Sequence, residues 1–493
     1  MTQERPNIIM IVADDMGHWA WGGAGNAELA TPSLVRLADS GTTFTNFFCT
    51  SPVCSPARAS ILTGEIPSRH GIHDFIHYTT GGESPIDGQG PLIKYLEGHE
   101  GYTDALAANG YVCGMIGKWH MGDAHHAQKG FSHWNARLAG GGNYYNARLI
   151  NGANGEITQY PEQYITDVIT GDALAFLDKR RTDHRPFCLC LNHTAPHSPW
   201  TRDDHPAAVF DEFLENCAFK SVPEVPPHPW GRTTLTPGSP GERRKTLAGY
   251  FTAVAEMDRN IGRILDWLEE NNQRQNTLVL FLSDNGMNMG HHGIWGKGNG
   301  TFPLNLYDTS VKVPAVASWP AHVPAGITTA CLLSEYDIKP TLLEVAELEH
   351  DNPDLPGRSF APLLRGKQFQ SNEDVVVFDE YGPARMIRSR DHKYIHRYPY
   401  GPHEFYDLKR DPDETNNLYG AAAYQDVIGE MKGRLDKWFV KYSDPSVDGS
   451  REPVTGYGQL YFAGARGDGR KAFCDFCDDA PRYTVTAPSH AGR

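Results

Sequence analysis

The 493-residue sequence predicts an α/β protein: a large, open central sheet, parallel or mixed, flanked by helices, then a smaller α+β unit with an antiparallel sheet. Three observations predict it. Four apolar runs, Asn7–Ala13, Tyr111–Ile116, Phe187–Leu191 and Thr277–Leu282, lack strict alternation, as strands covered on both faces do. Segments of helical periodicity lie between them. After about Gln370 the pattern changes to strand-like runs with no helices between.

Taken in order, Thr31-Pro32-Ser33 opens a helix, with Thr31 as N-cap, Pro32 at the first helical position and Gly41 as its end. Ser51, Pro52 and Pro56 mark a loop, and Ala57 to Leu62 reads as the first turns of a helix. Tyr164–Arg180 and Ser334–Leu348 are further helical candidates. From Leu247 to Asn271, residues Leu247, Tyr250, Phe251, Val254, Ile261, Ile264, Leu265 and Leu268 recur at helical spacing. In the last part, Glu373–Asp379 and Lys393–Arg397 read as strands and Gln425–Tyr442 as a helix. The tail from Ser443 is rich in Gly, Pro, Asp and Arg; it either wraps the surface or reaches a second subunit. The expected division is one unit over 1–370 and another over 371–493, with the oligomeric state open.

A net charge of −15 argues against a nucleic-acid partner, which would need clustered Lys and Arg. An acidic protein that acts on an anion needs local positive charge at its site. No apolar run approaches a membrane span, and no charged-then-apolar leader opens the chain, so the expectation is a cytoplasmic protein with no membrane partner. The nine cysteines form no regular framework. Cys188 and Cys190 read as buried thiols. Cys474 and Cys477 form a lone C-x-x-C, read as reduced and structural, with metal binding or a disulfide as alternatives.

Position carries the functional signal. The four apolar strands run into polar clusters at their C-terminal ends: Asp14-Asp15, Gly117-Lys118-Trp119-His120, Asn192-His193 with His197 close behind, and Ser283-Asp284-Asn285-Gly286. In open α/β sheets, ligands bind beyond those ends. Adjacent Asp14 and Asp15 would face opposite sides of a regular strand, so both face one ion only where the chain is already turning. One of them capping a turn is the alternative, as is a plain Asn-Gly turn for Asn285-Gly286. Together these residues offer three carboxylates and an amide, a hard oxygen set that suits Ca²⁺ or Mg²⁺ better than zinc. Cys54 would stand at or just before a helix N-terminus, where free N–H groups favour anions, with Arg58 one turn on; a buried thiol is the alternative. Lys118 could be a surface lysine and His120 a core histidine. His193 reads as packing, and His291 and His292 as pocket or solvated loop. His70, His73 and Asp74 follow closely enough to touch a substrate, His73 and Asp74 being the candidates carried forward.

The run Cys54-Ser55-Pro56-Ala57-Arg58, followed by Leu62-Thr63-Gly64, resembles the C-x-P-x-R signature of type I sulfatases. Asp14 and Asp15, Asp284 and Asn285, Lys118 and His120, His197 in Ala195-Pro196-His197, and Lys297 in Trp295-Gly296-Lys297-Gly298 match further elements of that family, and Phe405-Tyr406-Asp407-Leu408 onward resembles its C-terminal part. The resemblance implies an alkaline-phosphatase-like fold and hydrolysis of a sulfate monoester, on a sugar or an aryl group, through a covalent sulfo-enzyme intermediate. It implies formylglycine made from Cys54 by a maturation enzyme, and Ca²⁺ (Mg²⁺ less so) held by Asp14, Asp15, residue 54, Asp284 and Asn285. Arg58, Lys118 and Lys297 would hold sulfate, His197 would protonate the leaving alcohol, and His120 would deprotonate the second formylglycine hydroxyl. Two rivals stand beside it: a phosphonate monoester or phosphodiester hydrolase of the same superfamily, and a silent calcium-binding scaffold.

Overall fold

In β1 (Asn7–Ala13), Ile8, Met10 and Val12 face one core cluster and Ile9, Ile11 and Ala13 face another. That two-sided burial is what an apolar run without alternation requires. The computed structural model describes residues 5–77, 92–232, 236–349, 351–369 and 377–475. The remaining strands are β2 (Thr42–Phe48), β3 (Val112–Lys118), β4 (Phe131–Arg137), β5 (Ala147–Asn151), β6 (Glu156–Tyr160), β7 (Phe187–Asn192), β8 (Thr277–Ser283), β9 (Asn288–Met289), β10 (Trp295–Gly296), β11 (Lys312–Val313), β12 (Ala315–Ser318), β13 (Ile327–Ser334), β14 (Val377–Tyr381), β15 (Ala384–Arg388), β16 (His392–Arg397) and β17 (Glu404–Asp407). Eleven of them form one sheet in the order β11-β2-β12-β8-β1-β7-β3-β4-β5-β6, with β13 beside β2. The sheet is mixed: β8, β1, β7, β3 and β4 run parallel, while β12, β5 and β6 join antiparallel.

The helices are α1 (Pro32–Asp39), α2 (Cys54–Thr63), α3 (Pro67–His70), α4 (Tyr102–Ala108), α5 (Ile165–Arg180), α6 (Ala207–Asn216), α7 (Pro240–Glu270), α8 (Asp308–Val311), α9 (Ile338–Val345), α10 (Ala361–Leu364) and α11 (Gln425–Tyr442). Leu34 of α1, Phe176 of α5, Phe210 of α6 and Phe251 of α7 fill one face of the sheet; Leu62 of α2, Leu106 of α4, Leu342 of α9 and Leu364 of α10 fill the other. A third core joins α11 to the separate four-stranded sheet β14-β15-β16-β17, which is antiparallel throughout. Among the described residues, no helix is long and apolar enough to cross a membrane.

Several boundaries differ from the sequence reading. Thr31 does not cap α1: its φ is +36° and its hydroxyl accepts the N–H of Gly22. The Asp258 carboxylate of α7 takes the N–H groups of Ser33 and Leu34 instead, at 3.0 and 2.8 Å. Helix α1 also ends before Gly41, with Ser40 at its C-cap. Helix α7 starts earlier than its apolar repeat because Ser239 caps it, accepting from Glu242 N, with Pro240 at the first position. The segment 334–348 holds only α9 as α-helix, entered through a short 3₁₀ turn. The strand expected over 373–379 begins, within the described residues, at Val377; residues 373–376 lie outside them. Strands β15 and β17 were not foreseen. Cys188 and Cys190 are buried free thiols; Cys474 is buried, and Cys477 lies outside the described residues. The tail turns back onto the chain's own segment 71–77, where Ile76 bridges Gln459 and Gln459 bridges Phe473.

Candidate active site

The register of the sheet sets the site. Ala13 pairs with Ser283, Val12 with Asn192, and Gly117 with Asn192. Asp14, Asp284 and His193, which follow their strands, and Lys118, the last residue of β3, therefore lie at one edge of the sheet. Asp15 has a φ of +64°, a left-handed turn that breaks strand geometry and brings both aspartates to one side. Asp14, Asp15 and Asp284 each offer an oxygen within 4.8 Å of the others.

Helix α2 supplies the rest. Val53 before it is extended and gives no side-chain cap, Pro56 falls in the first turn where its missing N–H costs nothing, and Gly64 closes the helix at φ +71°. Every residue of α2 is buried, and Cys54 is its first. Arg58, one turn on, projects to the same side. Its guanidinium donates to Asp284 Oδ2 at 2.8 Å and to the Lys118 carbonyl at 3.2 Å. Lys118 Nζ stands 2.6 Å from Asp14 Oδ2. The β9–β10 ribbon delivers Lys297, whose ammonium donates to Asp15 Oδ1 and lies 2.7 Å from Cys54 Sγ. His197 Nε2 is 3.6 Å from Asp15 Oδ2, and its Nδ1 faces the Ser198 carbonyl at 2.7 Å. Asn285 donates to Asp15 Oδ1 at 2.9 Å.

Burial alone would raise the Asp15 carboxyl, but Lys297, His197 and Lys118 outweigh it and hold it well below the carboxylate range. Asp284 goes the other way, to about 6, because burial outweighs the attraction of Arg58. Burial pushes the Cys54 thiol up to about 12 against the pull of Lys118 and Lys297, so the encoded thiol stays protonated. Burial, with the lysines, lowers His197 to about 3 and keeps His120 neutral.

Two buried oxygens of the cluster, Asp14 Oδ1 and Asn285 Oδ1, have no hydrogen-bond partner. Buried oxygens of that kind call for a donor or a cation. An all-oxygen set of three carboxylates and one amide fits a hard divalent ion. His120 donates from Nε2 to the Ile76 carbonyl at 3.0 Å, which leaves Nδ1 as an acceptor that is buried and unpartnered.

Not every expected residue joins the site. His73 and Asp74 are fully buried under the tail and turned away from solvent. His73 Nε2 donates to the Val447 carbonyl, and the Asp74 carboxylate accepts from Tyr381 Oη, Phe75 N and Gly458 N. In this structure both are taken up in hydrogen bonds that tie the segment 71–77 to the tail and to Tyr381. His70 is likewise buried against Ser60. His193 is buried with both ring nitrogens unpartnered. His292 stacks on Tyr307 at 4.0 Å, and His291 packs tilted against Trp19 at 4.7 Å. The sequence reading missed Arg137, which pairs in register with Lys118, and the glycine run after it; Gly130 just before β4 was the only local signal of that strand.

Comparison with known proteins decides the family. The sulfatase family profile matches residues 6–348, well over half of the chain. The chain belongs to the sulfatase family. A second profile, the C-terminal part of N-sulphoglucosamine sulphohydrolase, matches residues 290–441. The sulfatase is 27% identical to an N-acetylglucosamine-6-O-sulfatase of Bacteroides thetaiotaomicron, over 90% of this chain and 88% of that one. It is also 27% identical to a choline-sulfatase of Rhizobium meliloti, over 85% and 83%. Its fold matches that of a protein solved in complex with its substrate D-glucosamine-2-N,6-O-disulfate, with a TM-score of 0.75 at 24% identity, over 91% of this chain and all of that one. At that identity the likeness shows the fold alone. The sulfatase is thus a sulfuric ester hydrolase on a mixed α/β sheet with a smaller antiparallel C-terminal sheet.

Proposed function

We propose that this sulfatase hydrolyses the sulfate monoester of a sugar, with residue 54 acting as formylglycine and Ca²⁺ held by Asp14, Asp15, Asp284 and Asn285. The position of Cys54 carries this reading: it is the first residue of a buried helix, 2.7 Å from the Lys297 ammonium and beside carboxylates that keep an unpartnered oxygen. Calcium fits better than Mg²⁺, which demands a tighter octahedron and sheds water reluctantly. Bound there, the ion would offset charge developing on the sulfate oxygens. Oxidised and hydrated, residue 54 would supply the hydroxyl that attacks sulfur, which the buried, protonated thiol cannot do.

The chain's own groups supply the remaining chemistry. Arg58, Lys118 and Lys297 bind and orient the sulfate anion. His197, its Nδ1 fixed on the Ser198 carbonyl, presents Nε2 to the ester oxygen and gives it a proton as the sulfur–oxygen bond breaks. Burial, with the lysine charge, keeps His197 neutral beforehand, its one proton on Nδ1; as the incoming anion offsets the lysine charge, Nε2 takes up from solvent the proton it then gives. His120 Nδ1 is the acceptor for a proton from residue 54 when sulfate departs. Because Cys54 is 1% exposed, a maturation enzyme would have to reach it before the chain folds.

The sugar rests on the N-acetylglucosamine-6-O-sulfatase relative; the choline-sulfatase is equally identical over a smaller share of both chains. The test is mass spectrometry of the peptide holding residue 54, with turnover of N-acetylglucosamine 6-sulfate, choline sulfate, an aryl sulfate and an aryl phosphonate. A mass about 18 Da below the cysteine form and preference for the sugar sulfate are expected. An unmodified thiol in active enzyme, or fastest turnover of the phosphonate, would overturn the proposal. Cys54→Ala should abolish turnover without unfolding the protein.

A further inference from the structure

One loop touches both histidines to which proton transfers are assigned, and it does so with glycines. Residues 138–146 leave the C-terminal end of β4 and cross the site. A Cβ added at Gly140 would overlap Cε1 and Nε2 of the His120 ring. A Cβ added at Gly141 would stand 2.8 Å from Cε1 and 3.2 Å from Nδ1 of His197. Real Cβ atoms essentially never approach so near.

The loop is fastened at both ends. At its start Arg137, 6% exposed, donates to the Asn143 carbonyl at 3.1 Å and to Thr194 Oγ1 at 3.4 Å. At its end Tyr144, fully buried, donates to the His197 carbonyl at 2.7 Å and packs on Tyr164 and His205 at 5.3 and 4.4 Å. Each histidine also donates to a carbonyl, His120 to that of Ile76 and His197 to that of Ser198. Each ring is thus tied by one hydrogen bond and closed in by one glycine. His120 has a φ of +54°, in the left-handed region that a residue other than glycine seldom adopts.

We propose that Gly140 and Gly141 are positioning residues: their missing side chains let a single anchored loop back both rings, fixing His120 Nδ1 and His197 Nε2 toward residue 54. This rests on the roles assigned above to the two histidines. His197 gives its proton to the departing oxygen, so the need for it rises with the basicity of the alcohol. His120 acts after the alcohol has left, so the need for it does not.

The test uses the mature, calcium-loaded enzyme, an aryl sulfate with an acidic phenol, and a sugar sulfate. Gly141→Ala should lower kcat/KM for the sugar sulfate by about 100-fold and that for the aryl sulfate by less than about 5-fold. Gly140→Ala should lower kcat and KM together, by about 100-fold on both substrates, leaving kcat/KM within about 3-fold, because the slowed step follows departure of the alcohol. Each loss should vanish when the partner histidine is already alanine, since residues acting through one another are not additive. Wild-type kinetics in both variants, or the same losses in the His120→Ala and His197→Ala backgrounds, would overturn the proposal. So would general unfolding of Gly140→Ala and Gly141→Ala, which would make the glycines structural. Should His120→Ala and His197→Ala themselves keep full activity, the histidine roles fail, and that outcome is read separately from the glycine effect.

Discussion

Gln459 is the residue whose loss should travel furthest. It lies in the tail, is fully buried, and makes four hydrogen bonds from one amide. Its Oε1 accepts from the N–H of His73 at 2.8 Å and of Asp74 at 3.4 Å; its Nε2 donates to the carbonyls of Gly71 at 2.9 Å and Tyr461 at 3.0 Å. Gln459→Ala strands at least the His73 N–H and the Gly71 carbonyl away from water. At about 1.5 kcal/mol for each buried group left unpaired, the segment 71–77 loses about 3 kcal/mol against local opening. That corresponds to about 100-fold faster hydrogen exchange in a peptide spanning 70–77. The segment also holds His120, through the Ile76 carbonyl, so kcat should fall in the same variant. Gln459→Glu keeps the acceptor but must carry a proton to serve even one of the two carbonyls. Its exchange, relative to wild type at the same pH, should therefore quicken as pH rises above about 5, where the unfolded chain's carboxyl ionises freely. Exchange within threefold of wild type in Gln459→Ala, at any pH, would show that the tail merely lies on this segment.

Lys297→Met removes the ammonium that reaches both Cys54 and Asp15; kcat/KM should drop about 100-fold with the fold intact, and a loss under threefold would remove Lys297 from the site. Chelation should lower the melting temperature by about 3 °C or more, with Ca²⁺ restoring it better than Mg²⁺, since a cation bound only by the folded cluster stabilises it; an unchanged melt counts against the ion. His205 is held at about 4 by burial, between Tyr164 Oη and the Pro199 carbonyl. Below pH 6.5 the unfolded chain protonates this histidine and the folded one does not, so stability falls by up to ~3 kcal/mol as pH drops from 6.5 toward 4. His205→Gln should flatten the melting temperature over that window; an unaltered slope would refute the assignment.

What was legible in the sequence is what short range controls. Apolar runs located β1, β3, β7 and β8, because a strand buried on both faces must be apolar throughout. They ended β3 too early: the ladder runs on through Gly117 and Lys118, which pair with Ala136 and Arg137. Strands β4 and β6 carry polar residues and β6 is largely exposed, so composition did not show them. The cap of α1 comes from Asp258, more than two hundred residues away, and no local rule finds such a partner. The motif residues converge as expected, since four strand ends of a parallel sheet share an edge. Gln459, Gly140 and Gly141 stayed hidden for the opposite reason. A glycine that must clear a histidine ring looks, in sequence, like any glycine in a turn.

The charge at the site closes the question raised by the acidic composition. A protein of net charge −15 must still attract an anion. Arg58, Lys118 and Lys297 supply positive charge, yet each is already engaged by a carboxylate: Arg58 by Asp284, Lys118 by Asp14, Lys297 by Asp15. The cluster is therefore balanced as it stands and offers an anion little. A divalent cation that took over those carboxylates would leave the cluster with an excess of about two positive charges at low dielectric, where they act strongly. The lysines and arginine would then be free to meet sulfate. Binding of the anion should accordingly depend on the cation more steeply than folding does. In a calcium titration followed by both sulfate-ester KM and melting temperature, KM should climb at calcium levels where the melt has barely moved. Parallel loss of the two would mean that the ion only holds the fold together.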